Sequence, residues 1–511
     1  MNALAPTPGA PDPRLERALA FHRAGAVGEA AALYEAVLES RPDDVDALHL
    51  LGVARRAQGR RHEAAELVRR ALRLAPGLAD TWYNLGNIET DLGNEAAAAE
   101  AFERAVGLRP SEATFWFALG CARARLGCAE RAIDAYRRAL AVDPEHLAAR
   151  HNLANQLFEL GDDRAAASEL RAVAERAPDL AEAHYNLARA LLRSGDYTTG
   201  FAEYVWRWRV AAFPDRERWP ELPVWQGEPL SGRTLLVQAE QGYGDTIQFV
   251  RLLPMVASLG PRVRLEVPAR LVRLLSGVDG AEAVLPIGPS PPEADLRIPL
   301  LDLPHRLGLT LGSIPRAVPY LRAESARIRQ WRERLGRDGR LLVAMCWRGN
   351  PAAPIDRGRS LPSPEPLAAA LDHPAVRRLA LTEPGVHPLE PIEGGSGWKL
   401  AGVEPTVEHP GPELDAGPDG FVDSAALLEL ADLVVTTDTA IAHLAGALAR
   451  PTWLLLPRSA DWRWLRERTD SPWYPTMRLF RQTTAGDWEA PLAAVASALD
   501  QLRAERQVLK G

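Results

Sequence analysis

Three short segments beyond residue 230 of this 511-residue chain carry side chains suited to a phosphate-bearing substrate. The first is Gly242-Tyr243-Gly244-Asp245, between an apolar run (RTLLVQ) and a helical one (TIQFVRLLPMVASLG). Glycines allow a tight turn and leave a helix N-terminus open to polar or anionic groups. Asp245 reads either as a general base in a cleft or as a helix cap, because Asp is a favoured capping residue. The second segment, WRGNPAAPIDRGRS, brings Arg348, Asn350, Asp356, Arg357, Arg359 and Ser360 to the end of another apolar run. Three arginines there suit a diphosphate, which a guanidinium grips through parallel hydrogen bonds; a solvated charge run is the alternative. In the third, ADLVVTTDTAIAHLAGALARP, Thr437, Asp438, Thr439 and Ala440 stand where a strand gives way to a helix. Backbone N–H groups and the positive helix end would receive phosphate, with Thr hydroxyls as added donors. His443, on the first turn, either supports a leaving group or caps the turn. No G-x-G-x-x-G dinucleotide fingerprint accompanies these loops.

The elements that must position them alternate. Short β-rich runs (RTLLVQ, RVRLEV, AEAVLPI) are interleaved with helical stretches, and after ESARIRQWRERLGRDG the scheme restarts with LLVAMCW, RRLALT, ADLVVTT and PTWLLLP. Strands alternating with helices predict parallel sheets with crossover helices, and ligands in such folds bind at the carboxyl ends of strands. Two Rossmann-like halves facing a cleft follow, at residues 233–325 and 341–485, joined by a linker helix at 326–340. Residues 486–511 read as a C-terminal helix packed back across both halves.

The first two-fifths of the chain follow a different rule. Glycine recurs every 34 residues at Gly25, Gly59, Gly93, Gly127, Gly161 and Gly195, and proline follows 17 residues after the first five. Such a period marks a helical repeat array. Each unit reads as two helices: glycine ends the first in a left-handed conformation and proline stops the second. Gly52, Gly86 and Gly120 share one register position, where a small residue lets the paired helices approach. This pattern resembles the tetratricopeptide repeat, over residues 11–204 in about six units, with a disordered stretch at 1–10. Such arrays curve into a superhelix with a concave binding face. Asn84, Asn152 and Asn186 share one position there, as a ladder for the backbone of a protein or peptide in the groove or as caps and solvated amides. The Trp- and Pro-rich stretch 205–232 (Trp206, Trp208, Trp219, Trp225) reads as a packed junction.

Composition narrows the classes. A net charge of −7 argues against a nucleic-acid partner, whose phosphates need a basic face. Three cysteines with no C-x-x-C spacing leave no disulfide framework or structural zinc, no apolar run is long enough to span a membrane, and no secretory h-region is present. A cytoplasmic protein is expected.

The motif D-T-A-x-x-H-L-A-G-A-L-x-x-P after ADLVVTT, with EQGYGDTIQF and WRGNPAAPIDRGRS before it, resembles heptosyltransferase-like glycosyltransferases of the GT-B fold over residues 219–500. DWRWLRERTDSPWYPTMRLFRQ is similar to bacterial proteins that join tetratricopeptide repeats to this domain. The resemblance implies an α-solenoid followed by an α/β GT-B fold, and an inverting hexosyl- or heptosyl-type enzyme that moves a sugar from a nucleotide-diphosphate donor to an acceptor, a protein or polymer presented by the repeats. It implies that Asp245 is the base, that Gly242, Tyr243 and Gly244 form the acceptor loop, and that His443 is catalytic. Arg348, Asn350, Arg357, Arg359, Ser360, Thr437, Asp438, Thr439 and Ala440 would hold the diphosphate. No D-x-D occurs in residues 230–511, so no metal or other cofactor is expected. Two departures stand out: LALTEP replaces a strand ending S-L-Q, and the Gly/Pro-rich stretch after it reads as a mobile lid or a degenerate segment. The alternative is a non-catalytic repeat scaffold with a nucleotide-sugar-sensing or inert GT-B domain.

Overall fold

The computed structural model describes residues 12–213, 217–336, 338–350, 356, 358–393 and 397–508, with side chains as far as 505. The stretch 1–10 lies outside the described residues. The chain forms two compact units, Met1–Pro178 and Asp179–Gly511.

The first unit is built of antiparallel helix pairs: α1 Pro13–Arg23 with α2 Val27–Ser40, α3 Val45–Ala57 with α4 Arg61–Leu74, α5 Ala79–Asp91 with α6 Glu95–Leu108, α7 Ala113–Arg125 with α8 Ala129–Val142, and α9 Leu147–Leu160 with α10 Asp163–Arg176. The repeat glycines take positive φ, between 74° and 92°, at the end of every first helix. In this left-handed region a Cβ would be strained, so glycine lets the chain reverse cheaply. The shared small position is equally physical. A Cβ on Gly86 would lie 2.5 Å from the Phe102 ring, and one on Gly120 would lie 2.5 Å from the Tyr136 ring. In these two pairs an aromatic ring packs directly against bare backbone, and at Gly52 the Val68 side chain does so, 2.5 Å from where a Cβ would stand.

Neighbouring repeats are tied by a recurrent bond. The Trp82 indole donates to the Pro76 carbonyl and the Trp116 indole to that of Pro110, both at 2.8 Å. Arg150 does the same to the Pro144 carbonyl, also at 2.8 Å. Proline cannot continue a helix, and these donors satisfy the carbonyl it leaves behind.

The sixth helix pair, α11 Ala181–Ser194 and α12 Tyr197–Tyr204, belongs to the second unit. Tyr197, Phe201 and Tyr204 are buried in the core that runs on through Leu235 and Val237 to Leu444 and Tyr474. The boundary set by packing therefore falls at residue 178, whereas the repeat pattern in the sequence runs on to residue 204.

The second unit then alternates: β1 Thr234–Gln238, α13 Tyr243–Phe249, α14 Leu253–Ala257, β2 Arg262–Val267, α15 Ala269–Leu275, β3 Ala283–Pro286, β4 Leu296–Pro299, α16 Leu303–Arg306, α17 Ser325–Leu335, β5 Leu341–Cys346, α18 Glu365–Ala370, β6 Val376–Ala380, β7 Leu389–Pro391, β8 Trp398–Leu400, β9 Glu408–His409, α19 Val422–Leu430, β10 Leu433–Thr437, α20 Ala440–Ala447, β11 Thr452–Leu456, β12 Met477–Arg481 and α21 Glu489–Val508. The first sheet has the order β3-β2-β1-β4, all parallel. The second has the order β12-β11-β10-β5-β6-β9-β8-β7, parallel as far as β9 and antiparallel beyond. Strands β1, β10 and β11 are buried along their whole length, as continuous apolar runs of Val, Leu and Thr in a covered parallel sheet require.

Three expectations change. The Gly/Pro-rich stretch after residue 384, read as a lid or a degenerate segment, carries β7, β8 and β9, which extend the sheet, and a Cβ on Gly411 would sit 2.9 Å from the Trp398 ring. The C-terminal helix α21 buries Leu492, Val495, Ala498 and Leu499 in the core of the second sheet alone, beside Val343 and Leu367, because its apolar stripe is matched by that face. Strands β4 (LRIP) and β12 (MRLFR), whose arginines interrupt the apolar pattern, are additional. The Trp-rich stretch lies within the second unit: Trp225 is buried, its backbone N–H bonds the Arg297 carbonyl on β4, and Trp206 stacks on His184 of α11 at 4.0 Å.

Candidate functional site

The three chemistry-bearing loops meet between the two sheets. Helix α13 opens after β1 with Gly242 as its N-cap, and Asp245 stands at the third helical position. Its Oδ2 accepts the Gly242 N–H at 2.9 Å and its Oδ1 accepts from Arg463 Nη2 at 2.5 Å. The carboxylate is thus both cap and partner of a buried cation, with about a fifth of its side chain exposed, 20%. Gly244 touches the third loop. A Cβ there would lie 2.7 Å from His443 Cδ2 and 3.5 Å from the Ala440 Cα. Tyr243 meets Phe421 edge-on at 5.3 Å.

The second loop follows β5 and is organised by Asp356. Its buried carboxylate accepts the Gly349 N–H at 3.1 Å and the Ser360 hydroxyl at 2.6 Å, with Arg348 Nη2 at 3.7 Å. Ser360 and Arg348 therefore shape the loop. Asn350 is exposed on it, and Arg357 lies outside the described residues. Arg359, half-buried, reaches Asp438 across the loops at 3.6 Å.

In the third loop β10 ends at Thr437 and α20 begins at Ala440, with Thr439 as an N-cap whose side chain makes no capping bond. The Thr439 hydroxyl is shared instead with Thr436 Oγ1 at 3.2 Å and Cys346 Sγ at 3.8 Å. The helix start thus has no side-chain cap, and its first N–H groups remain unmatched within the helix. The Thr437 hydroxyl is fully buried with no hydrogen-bond partner among the described residues. Asp438 is buried, which raises its carboxyl above the usual range against the pull of Arg359. Burial likewise holds His443 well below the ordinary imidazole value, with Arg463 acting in the same direction, so the ring is neutral. His443 Nδ1 is 2.9 Å from the Tyr474 hydroxyl, and Nε2 is 4.0 Å from Asp438 Oδ1.

Residues outside the three motifs complete the site. Arg463, in the 3₁₀ turn Trp462–Trp464, donates to Gln248 Oε1 at 2.8 Å and Asp461 Oδ1 at 2.8 Å besides Asp245. Burial opposes the charge on Asp461, but Arg463 and Arg359 outweigh it and hold the carboxyl at about 2. Trp462 is enclosed by Tyr197, Phe201 and Tyr204 at 5.9, 5.5 and 6.4 Å, so the last helix pair braces the turn that carries Arg463. Beneath the first loop Arg207 is wholly buried and bonded to Glu240 Oε1 and Asp302 Oδ1, both at 2.6 Å. The DWRW run holds Asp461 and Arg463, charges set between tryptophans, and that alternation is the signal by which they could have been found.

The amide ladder is resolved residue by residue. Asn84 Nδ2 is 2.7 Å from His49 Nε2, and Asn152 Nδ2 donates to Cys121 Sγ at 3.5 Å. Each amide is half-buried and tied to the preceding repeat; Asn186 is half-buried on α11. Among the described residues no group of three or more His, Cys, Asp or Glu side chains is placed to hold a metal, and no helix is long and apolar enough to cross a membrane.

Comparison with known proteins identifies the repeat region. The tetratricopeptide repeat family matches at residues 2–45, 15–79, 49–113, 83–146 and 151–215. Protein FlbA of Caulobacter vibrioides is 29% identical over 301 residues, 54% of this chain and 48% of that protein. The chain thus spans about half the length of this curated relative. Among solved structures, MamA from Desulfovibrio magneticus RS-1 is 22% identical, covering 32% of this chain and 96% of that one with a TM-score of 0.31. YrrB, described as a TPR protein with an unusual peptide-binding site, is 23% identical over 34% of this chain and 88% of its own, with a TM-score of 0.32. The N-terminal part of the chain, to about residue 215, is an array of tetratricopeptide repeats.

Proposed function

We propose that the second unit is a GT-B-type glycosyltransferase that moves a sugar from a nucleoside-diphosphate donor to a hydroxyl of a protein or polymer acceptor brought by the repeats. The observation that carries this reading is the meeting of three loops between two sheets: a carboxylate (Asp245), a guanidinium (Arg359) and the side-chain-uncapped start of α20, with the unpartnered Thr437 hydroxyl beside it. Charge grows on the leaving diphosphate during transfer, and fixed donors aimed at it lower the barrier by a few kcal/mol each. The start of α20, Arg359, Thr437 and Thr439 supply those donors without a metal ion. Asp245 takes the proton from the acceptor hydroxyl as the new C–O bond forms and the diphosphate departs with its electron pair, inverting the anomeric carbon.

A second reading has its own observation. Among the described residues Arg359, Arg463 and Arg348 are each already matched by a carboxylate (Asp438, Asp245 with Asp461, and Asp356), which leaves these three guanidiniums little free positive charge for a diphosphate. That balance favours a scaffold whose α/β unit senses a nucleotide sugar or is inert.

A thermal-unfolding panel with UDP-, ADP-, GDP-, CMP- and dTDP-sugars separates the two. A ligand at 100 times its Kd adds about 2.7 kcal/mol to the domain that binds it. One nucleotide class should raise the midpoint of the second unit and lose that effect in Asp438→Ala. Asp245→Asn should then lower transfer about 10²–10⁴-fold with donor binding nearly intact. No shift with any donor in a well-folded chain would sink the enzyme reading.

A further inference from the structure

We infer that residues 415–421, at the end of the Gly/Pro-rich stretch, are a strap that closes over the Gly242–Asp245 loop and can lift from it, so that access to this loop is gated. What the gate admits rests on the proposed transfer reaction; the strap itself does not.

Its root is fixed. The Asp415 carboxylate accepts the backbone N–H groups of Asp423 and Ser424 at 3.0 and 3.2 Å and the Ser424 hydroxyl at 2.5 Å. It thereby caps α19 from outside, with Leu414 buried beside it. Ala416, Gly417 and Pro418 then run exposed, and the tip turns in on elements of the first sheet. Asp419 Oδ2 accepts from Arg273 Nη1 at 2.6 Å, and the Asp415 carbonyl accepts from Arg270 Nη2 at 3.2 Å, both arginines on α15. A Cβ on Gly420 would stand 2.8 Å from Arg270 Nε, so bare backbone passes there. Phe421 meets the Tyr243 ring edge-on at 5.3 Å, and the Arg270 guanidinium lies 5.9 Å from the centroid of the same ring. Tyr243 opens α13, two positions before Asp245. Strap and α15 together therefore pinch the start of that helix.

Two features make the contact reversible. The first is what holds it. The Arg273–Asp419 pair has 40% of each side chain exposed, and water and salt weaken such a pair. Both arginines also keep a second carboxylate. Arg273 bonds Glu324 at 2.7 and 2.8 Å, and Arg270 bonds Glu383 at 2.6 Å. Departure of the tip thus strands neither guanidinium. The second feature is what strains it. Asp415 (φ 49°) and Phe421 (φ 66°), at the two ends, are non-glycine residues in left-handed backbone, which persists only where the surroundings impose it. The cap on α19 imposes it on Asp415. Phe421 makes no side-chain capping bond, and among the described residues its ring contact is Tyr243. Relaxation at Phe421 swings its ring off Tyr243 and lifts the tip with the root in place. The start of α13 is then bared to an incoming acceptor.

Hydrogen exchange read by mass spectrometry on the full chain, without nucleotide, tests the strap, so its failure is separate from a failure of donor binding. The first N–H groups of α13 have no acceptor within the helix, and their exchange reports how often water reaches the loop. Raising sodium chloride from about 0.1 M to about 1 M shortens the Debye length from about 10 Å to about 3 Å. Peptides covering 415–421 and 242–246 should then exchange faster together, by about two- to fivefold, with peptides from β10 and α21 unchanged. Asp419→Asn, at a half-exposed side chain, should give the same rise at low salt and lose most of the salt response. Gly420→Ala keeps every charge and forces the tip from Arg270, and it should raise exchange in both segments as well. Faster exchange in 415–421 with 242–246 still at its original rate would show that the strap does not cover the loop, and the proposal falls. It falls equally if neither segment responds to salt or to either variant.

Discussion

The two units use charge in opposite ways. In the repeats several ion pairs sit at the rim: Arg70–Asp43, Arg109–Asp80 and Arg176–Glu145 have both side chains substantially exposed, while Glu89 and Arg55 are buried with exposed partners. What is buried there is mostly aliphatic, small or aromatic, and the ring contacts at Gly86 and Gly120 recur one period apart. In the α/β unit the charges are inside: Arg207 with Glu240 and Asp302, Arg463 with Asp245 and Asp461. Burying an ion pair seldom adds stability over a well-packed apolar group. Such groups hold a geometry, and these two sets flank the first loop from below and from across the cleft.

The largest effect that would test this contrast is a truncation. A chain beginning at Asp179 should unfold cooperatively, whereas one beginning at Val205 should not fold, because Tyr197, Phe201 and Tyr204 no longer enclose Trp462. Matching circular-dichroism melts for both would break the claim that the last helix pair belongs to the α/β core. Next is Arg207→Met, which strands two buried carboxylates and should cost about 3–5 kcal/mol in the urea transition of the α/β unit. A loss under about 1 kcal/mol would mean that the pair is not held as described.

Gly86→Val tests the repeats. Overpacking against Phe102 should cost about 1–3 kcal/mol, partly recovered by Phe102→Leu. No recovery would point to a cause other than the ring.

Acid should weaken the α/β unit. His305, His409 and His443 are all held below the ordinary 6.5 by burial, so the unfolded chain binds protons first as pH falls below that value and stability is lost. Asp415, pushed up to about 6 by burial, opposes this: between about 6 and its ordinary 3.8 the folded chain holds the extra proton. Asp415→Asn should therefore steepen the loss in midpoint between pH 6 and pH 4; a shallower slope would refute the sign. The smallest effect is Arg176→Gln, expected to leave the repeat transition unmoved, because an exposed pair contributes little.

Much of the scaffold was legible because its causes are local. The 34-residue period survives in sequence since each glycine and proline acts within its own repeat. Strands β1, β5, β10 and β11 were legible as buried apolar runs. The site was legible only where a motif is contiguous. Arg463 grips Asp245 from 218 residues away, and Tyr474 meets His443 from 31 residues away. At residues 385–420 glycine and proline suggested a lid or a degenerate segment, and composition did not reveal the strands there. Antiparallel bonds between β7, β8 and β9 were invisible because each strand is two or three residues long.

Those short strands have a consequence for how the protein behaves in a crowd. A sheet of eight strands ends in two edges, and a long flat edge is a template for pairing with another molecule. Here one edge is β7, three residues closing on Pro391, with Glu390 paired to Lys399 beside it. The other is β12, whose Arg478 and Arg481 put positive charge along the strand. Neither margin offers a long, uncharged row of backbone donors and acceptors, so the sheet terminates itself and gives a neighbouring chain no ready place to add a strand.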